Sequence, residues 1–283
     1  MIKFGVAGNS NSFYSEGYKH TYQAGIWCKE RGIDIFEYSF GKGVKMTEAT
    51  AKKIGDEFRK NNVELSVHAP YYINFANQDS TMIEKSINYV LESLEKLSWF
   101  NNGERIVFHP ATQGKVLRED AVAETKKNLE KLAIAIVDAG YSDNKICIET
   151  MGKKAQIGTV EEVVEFCNIA PFFYPCIDFG HINARTNGTL KTAFDYEKII
   201  TYMLENLPFE KVKNMHVHFS KIMYSAMGEI KHLTFADDTF GPEFEPLSEI
   251  LWKYELTPKI ICESDGTQAE DAIYMKNYYF SNK

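Results

Sequence analysis

The sequence predicts a (β/α)8 barrel, the TIM-barrel fold. Short β-rich runs alternate with longer stretches of helical period along all 283 residues. The β-rich runs number eight. Strands that alternate with helices pair in parallel through right-handed crossovers, and eight such units close a barrel. An open doubly wound sheet is the other reading. No GxGxxG or GxxxxGK[ST] follows the first strand, so its nucleotide-binding versions lack support.

In chain order the runs are IKFGVA from Ile2, IDIFEYS from Ile33, VELSVHA from Val63, RIVFHP from Arg105, KICIET from Lys145, FYPCID from Phe173, VKNMHVHF from Val212 and KIICES from Lys259. The clearest helix runs from Ser80 to Phe100, with Ile83, Ile87, Val90, Leu91, Leu94 and Leu97 on one stripe. Glu119 to Ala139 is another. Ser220 to Pro246 reads as a long irregular loop, a length that usually serves function. No linker or composition break divides the chain, so residues 1–283 are expected to form one domain.

Composition narrows the classes. The chain is 44% hydrophobic and 25% charged, ordinary for a globular protein with ample core. No apolar run reaches the ~18 residues that span a membrane, and the start MIKFGVAGNS lacks a signal-peptide pattern. The expectation is a cytoplasmic protein with no membrane partner, and a monomer is favoured. Cys28, Cys147, Cys167, Cys176 and Cys262 are odd in number and form no CxxC pair, which fits reduced thiols better than disulfides or cysteine-based zinc clusters. A net charge of −7 argues weakly against a nucleic-acid partner, but bound cations would reverse the local field.

The histidines and acids carry the chemistry. His20 lies in the first helical stretch and reads as structural or surface. The other six, His68, His109, His181, His216, His218 and His232, fall at strand C-terminal ends or just after them, as do Glu149, Asp178 and Glu263. In such barrels that face carries the active site. Strand alternation separates Val63, Leu65 and Val67 from Glu64, Ser66 and His68, and Ile146 and Ile148 from Cys147 and Glu149. The apolar faces suit the helices, so the polar faces point into the barrel. One histidine at a strand end is ordinarily a hydrogen-bonded core residue. Ligand-type residues on at least six of eight strand ends point instead to cations, because crowded buried carboxylates need partners or a metal. Imidazole with carboxylate suits Zn2+, Mn2+ or Fe2+. Asp178 and His181, three residues apart, are expected to reach toward different ions.

HAPYYIN, IVFHPAT, ICIETMGK, CIDFGH, MHVHFSK and ICES together resemble the endonuclease IV family of abasic-site nucleases, among the xylose-isomerase-like barrels. The likeness runs in motif order from His68 to Glu263. It implies two to three ions, usually Zn2+. His68 and His109 would hold the first, and Glu149 would bridge it to a second held by Asp178, His216 and Glu263. His181 and His232 would hold the third. The family adds an aspartate two residues before the last histidine, where this chain has Ile230; Glu229 or His218 could substitute. It often has a histidine after the first strand, where this chain reads VAGNS.

The resemblance implies hydrolysis of the phosphodiester 5′ to an abasic site in duplex DNA, with Glu149 and Glu263 as catalytic residues. Tyr71 and Tyr72 would wedge into the base stack. Lys42, Lys45, Lys153, Lys154, Arg185 and Lys221 would contact phosphates. The chief rival is a metal-dependent sugar isomerase or epimerase of the same superfamily, which needs only Glu149, Asp178, His216 and Glu263. A non-catalytic metal-binding protein and a small-molecule phosphoesterase are further alternatives.

Overall fold

The computed structural model describes residues 1–282. Eight parallel strands close on themselves in sequence order. They are β1 (Lys3–Ala7), β2 (Ile35–Ser39), β3 (Glu64–His68), β4 (Arg105–Phe108), β5 (Lys145–Glu149), β6 (Phe173–Asp178), β7 (His216–Phe219) and β8 (Lys259–Cys262). β8 returns to β1 through the register Lys3 against Lys259 and Val6 against Cys262, so no barrel edge is left open. The predicted (β/α)8 barrel is therefore the fold.

Two predicted segments differ. The start of the seventh run is a short helix, Phe209–Lys213, with Pro208 at its N-cap, so β7 begins only at His216. The stretch read as irregular contains an antiparallel ribbon, Ile222–Ser225 with Gly228–His232. Its strands are half exposed and lack apolar alternation. Gly228, at φ +95°, supplies the turn conformation that a side chain resists.

Alternation divides the core into two layers. Leu65, Val67, Ile146, Ile148, Val217 and Ile260 face outward into the large cluster shared with the helices. Inside the barrel the apolar contact is small: Val107, Cys147 and Cys176, with Tyr174 against them. The 80–100 helix buries Ile83, Val90, Leu94, Leu97 and Phe100, each worth roughly 1.5–3 kcal/mol relative to exposure. Asp79 caps it, its Oδ1 accepting the Thr81 N–H at 2.9 Å.

Much of the interior is polar. At the bottom, Lys3 and Lys259 donate to Glu64 Oε2 at 2.5 and 2.9 Å. Burial alone would raise the Glu64 carboxyl, but Lys259 and Lys3 outweigh it and hold it below its usual range. Burial also pulls Lys259 down despite the carboxylate beside it, so desolvation offsets part of the attraction. We expect Glu64→Gln to cost about 1–3 kcal/mol at pH 7, measured by urea unfolding. Because the folded-state pKa is depressed, this contribution is present above the unfolded value near ~4.3 and fades as pH falls through the folded value. The two proteins should converge in stability under acid.

Candidate metal centre in the barrel mouth

Glu149 ends β5 with 1% of its side chain exposed. Its Oε2 lies 3.1 Å from His68 Nε2 and 3.2 Å from His109 Nε2. Its Oε1 faces the other way, 3.2 Å from His181 Nδ1 and 3.4 Å from His218 Nδ1. One carboxylate thus serves two sets of donors. Donor atoms of His68, His109 and Glu149 converge on one point, those of Glu149, Asp178, His218 and Glu263 on a second, and those of His181, Glu229 and His232 on a third.

Local structure sets each donor. Asp178 is the last residue of β6 and the N-cap of the helix Phe179–Arg185. Its Oδ1 accepts the His181 N–H at 2.7 Å. Its Oδ2 is buried and has no hydrogen-bond partner among the described residues. One oxygen therefore starts the helix that carries His181, and the other remains available. His68 Nδ1 donates to Ala69 O at 2.8 Å and His181 Nδ1 to Thr150 O at 2.9 Å. A carbonyl only accepts, so each contact leaves an Nε2 lone pair for an ion.

The third group depends on a bulge. In the 222–232 ribbon, Met223 pairs with Lys231 but Tyr224 pairs with Glu229, which leaves Ile230 as the extra residue. The added residue turns Glu229 to the face that carries His232. Glu229 Oε2 stands 3.5 Å from His181 Nε2. Glu229, not the residue at 230, thus fills the acidic place in this group. The ribbon docks on the loop after β5, where Gly152 leaves room. A Cβ at Gly152 would lie 2.7 Å from Glu229 Cβ and 2.8 Å from His181 Cδ2.

His216 is not where the sequence reading put it. β7 pairs His218 with Asp178 and Ile261, and the His218 Nδ1 lies 3.4 Å from Glu149 Oε1 and 3.5 Å from Glu263 Oε1. His218 therefore joins Glu149, Asp178 and Glu263, and His216 lies one layer deeper. There its Nε2 sits 2.9 Å from Glu37 Oε2. Both histidines share the inward face, so alternation alone could not choose between them.

The proposed DNA contacts also separate. The Arg185 guanidinium donates to the carbonyls of Met151, Lys153, Lys154 and Gln156, which organises the β5 loop and leaves it turned from solvent phosphates. Lys221 is buried, 2.8 Å from both Glu243 Oε1 and Asp237 O. Neither is a free phosphate contact. Lys154 donates to Asn187 Oδ1 at 2.8 Å. Lys42, Lys45 and Lys153 are exposed. Tyr71 and Tyr72 are 56% and 58% exposed, and the Tyr71 ring lies 5.2 Å from those of both His68 and His109. His20 is exposed and stacks on Tyr22.

Burial and neighbouring charge pull on the cluster in opposite directions. Burial would raise Glu149, but His109, His218 and His181 hold it well below the usual carboxylate range. Burial keeps Glu263 above its ordinary value against the pull of His218 and His232. Burial pushes His216 down to about 4 despite Glu37. Buried nitrogens of His218 and Oδ2 of Asp178 have no hydrogen bonds among the described residues. An oxygen–nitrogen donor set with unpartnered atoms at its centre fits divalent transition-metal ions.

Residues 26–275 match the family described as xylose isomerase-like TIM barrel. The chain belongs to that family. An uncharacterized protein of Methanocaldococcus jannaschii is 30% identical over 281 residues, 98% of this chain and 97% of that one. A probable endonuclease 4 of Mycoplasmoides gallisepticum is 28% identical over 202 residues, 69% of this chain and 62% of that one. A solved D-psicose 3-epimerase superposes with a TM-score of 0.69 at 14% identity, covering 98% of both chains, which speaks to fold alone. The family is thus named for an isomerase, and proteins named as probable endonucleases 4 are among this chain's relatives.

Two variants separate the groups by metal analysis of the purified protein. Glu149→Gln removes the shared carboxylate and should lower the content by about two equivalents, one for each group it serves. Gly152→Ala should displace Glu229 and lower it by about one, with the other groups intact.

Proposed function

We propose that this protein is a metal-dependent endonuclease that hydrolyses the phosphodiester 5′ to abasic sites in duplex DNA. The observation that carries the reading is Glu149, whose two oxygens face separate donor sets while a third set stands beside them. A shared carboxylate suits ions about 3.5–4 Å apart, the arrangement used for in-line displacement at phosphorus. Endonuclease 4 relatives at 28% identity support the same substrate class.

His68, His109 and Glu149 would hold the first ion. Glu149, Asp178, His218 and Glu263 would hold the second, and His181, Glu229 and His232 the third. When bound, such ions activate water and neutralise charge on phosphate oxygens. The protein's own groups do the rest. Glu263 Oε1 lies 3.5 Å from His218 and Oε2 lies 3.9 Å from His232, so its carboxylate spans two groups. There it would orient the attacking water. Tyr71 stands over the first group and Tyr72 beside it on the rim, placed to fill the stack when the abasic nucleotide turns out. That extrusion costs least where a base is missing. Lys42, Lys45 and Lys153 bring positive charge to the rim of an acidic protein.

The second reading is a sugar epimerase or isomerase. The group of Glu149, Asp178, His218 and Glu263 would suffice for it. The first and third groups have no work in that chemistry.

His109→Gln tests the choice, because His109 belongs to the first group alone. With metal-loaded wild-type protein we expect nicking of a duplex bearing one abasic site, abolished by a chelator. The variant should lose about 10–100-fold of that rate, the scale on which metal-site partners act. Absence of nicking by the loaded wild type, together with epimerisation of a ketose that His109→Gln leaves intact, would establish the second reading.

A further inference from the structure

Below the mouth, the mid-strand carboxylate of Glu37 lies within the barrel, 1% exposed. Its Oε2 accepts the Ser66 hydroxyl at 2.9 Å and stands 2.9 Å from His216 Nε2. Its Oε1 stands 2.9 Å from His218 Nε2. The opposite nitrogen of His218, Nδ1, faces Glu149 and Glu263 at 3.4 and 3.5 Å. The approach of both imidazoles to Glu37 is close but off-axis, and neither nitrogen of either ring has a directed hydrogen bond among the described residues.

We infer that Glu37 is a positioning residue: it holds the proton of His218 on Nε2 so that Nδ1 presents its lone pair to the central ion group. A buried carboxylate has no use in a strand interior unless donors surround it, and Glu37 has three neighbours of donor type. A histidine that donates one nitrogen to a carboxylate is fixed in tautomer and rotation, and its other nitrogen becomes a better ligand. His68 and His181 are fixed the opposite way, through Nδ1 to backbone carbonyls, and present Nε2. His218 cannot copy them, because its Nδ1 already faces the carboxylates. A side-chain acceptor must come from below, and Glu37 on β2 supplies it. His216 and Ser66 keep that carboxylate in place, which gives His216 a role although it lies too deep for the mouth.

The inference rests on the metal reading of the central group, not on the choice between DNA and sugar. Two measurements test it. In the long-range 1H–15N correlation spectrum of the zinc-loaded wild type, His218 should show a protonated Nε2 and a metal-bound Nδ1, whereas His68 and His181 show a protonated Nδ1. His218 with a protonated Nδ1 would overturn the inference. In Glu37→Gln, chelator competition should show one ion weakened about 10–100-fold, the usual effect of losing such a partner, while the ion of the His68 and His109 group keeps its affinity. A folded Glu37→Gln that binds every ion as the wild type does would equally overturn it. A wild type that binds no ion fails at the earlier step and contradicts the metal reading instead. Should Glu37→Gln not fold, the wild-type spectrum still decides.

Discussion

The structure turns on one buried carboxylate that faces two ways. Glu149 sits where β5 ends, closed from solvent, with imidazoles on both sides and further carboxylates behind them. Two charges of like sign a few ångströms apart in a poorly solvated site repel strongly. The imidazoles relieve only part of this, since each that takes a proton must itself be desolvated. Divalent ions between the donors would satisfy carboxylates and neutral imidazoles together. The remainder of the mouth gathers donors of the kind such ions would take.

The barrel does that placing with ordinary devices. Parallel strands in register bring residues far apart in sequence to one height. A helix N-cap divides the work of Asp178 between its two oxygens. A bulge at Ile230 turns Glu229 inward, and a glycine at 152 lets that ribbon approach. Arg185 gathers four carbonyls of the β5 loop, so a residue on the mouth's edge shapes the loop on which the third group leans. Below, Glu37 joins the two histidines of β7 to the strand across the barrel.

Much of this was legible in the amino-acid order. Eight strands, their helices and the inward set of acids and histidines followed from periodicity, because a strand's two faces meet different surroundings. The limits were physical as well. His216 and His218 share a face, and which of them reaches Glu149 depends on how far each lies along its tilted strand, which alternation does not encode. Arg185 and Lys221 look like free cations in sequence, yet their long side chains turn to carbonyls and to Glu243. The Ile230 bulge is invisible to alternation, since it breaks the alternation it serves. Glu37 escapes the sequence reading, though an acid between Phe36 and Tyr38 in the run IDIFEYS is a signal that something polar lies within the barrel.

The arrangement separates what belongs to the family from what this chain adds. A central group of one histidine and three carboxylates would suffice for several metal-assisted chemistries, while the outlying groups around His109 and His232 are the ground on which phosphodiester hydrolysis is proposed. Anomalous diffraction from crystals of the metal-loaded protein, collected on either side of the absorption edge, tests the claim on which this rests. The account predicts three peaks in the mouth, two of them bridged by the oxygens of Glu149. A single peak among Glu149, Asp178, His218 and Glu263, or none at all, would contradict it.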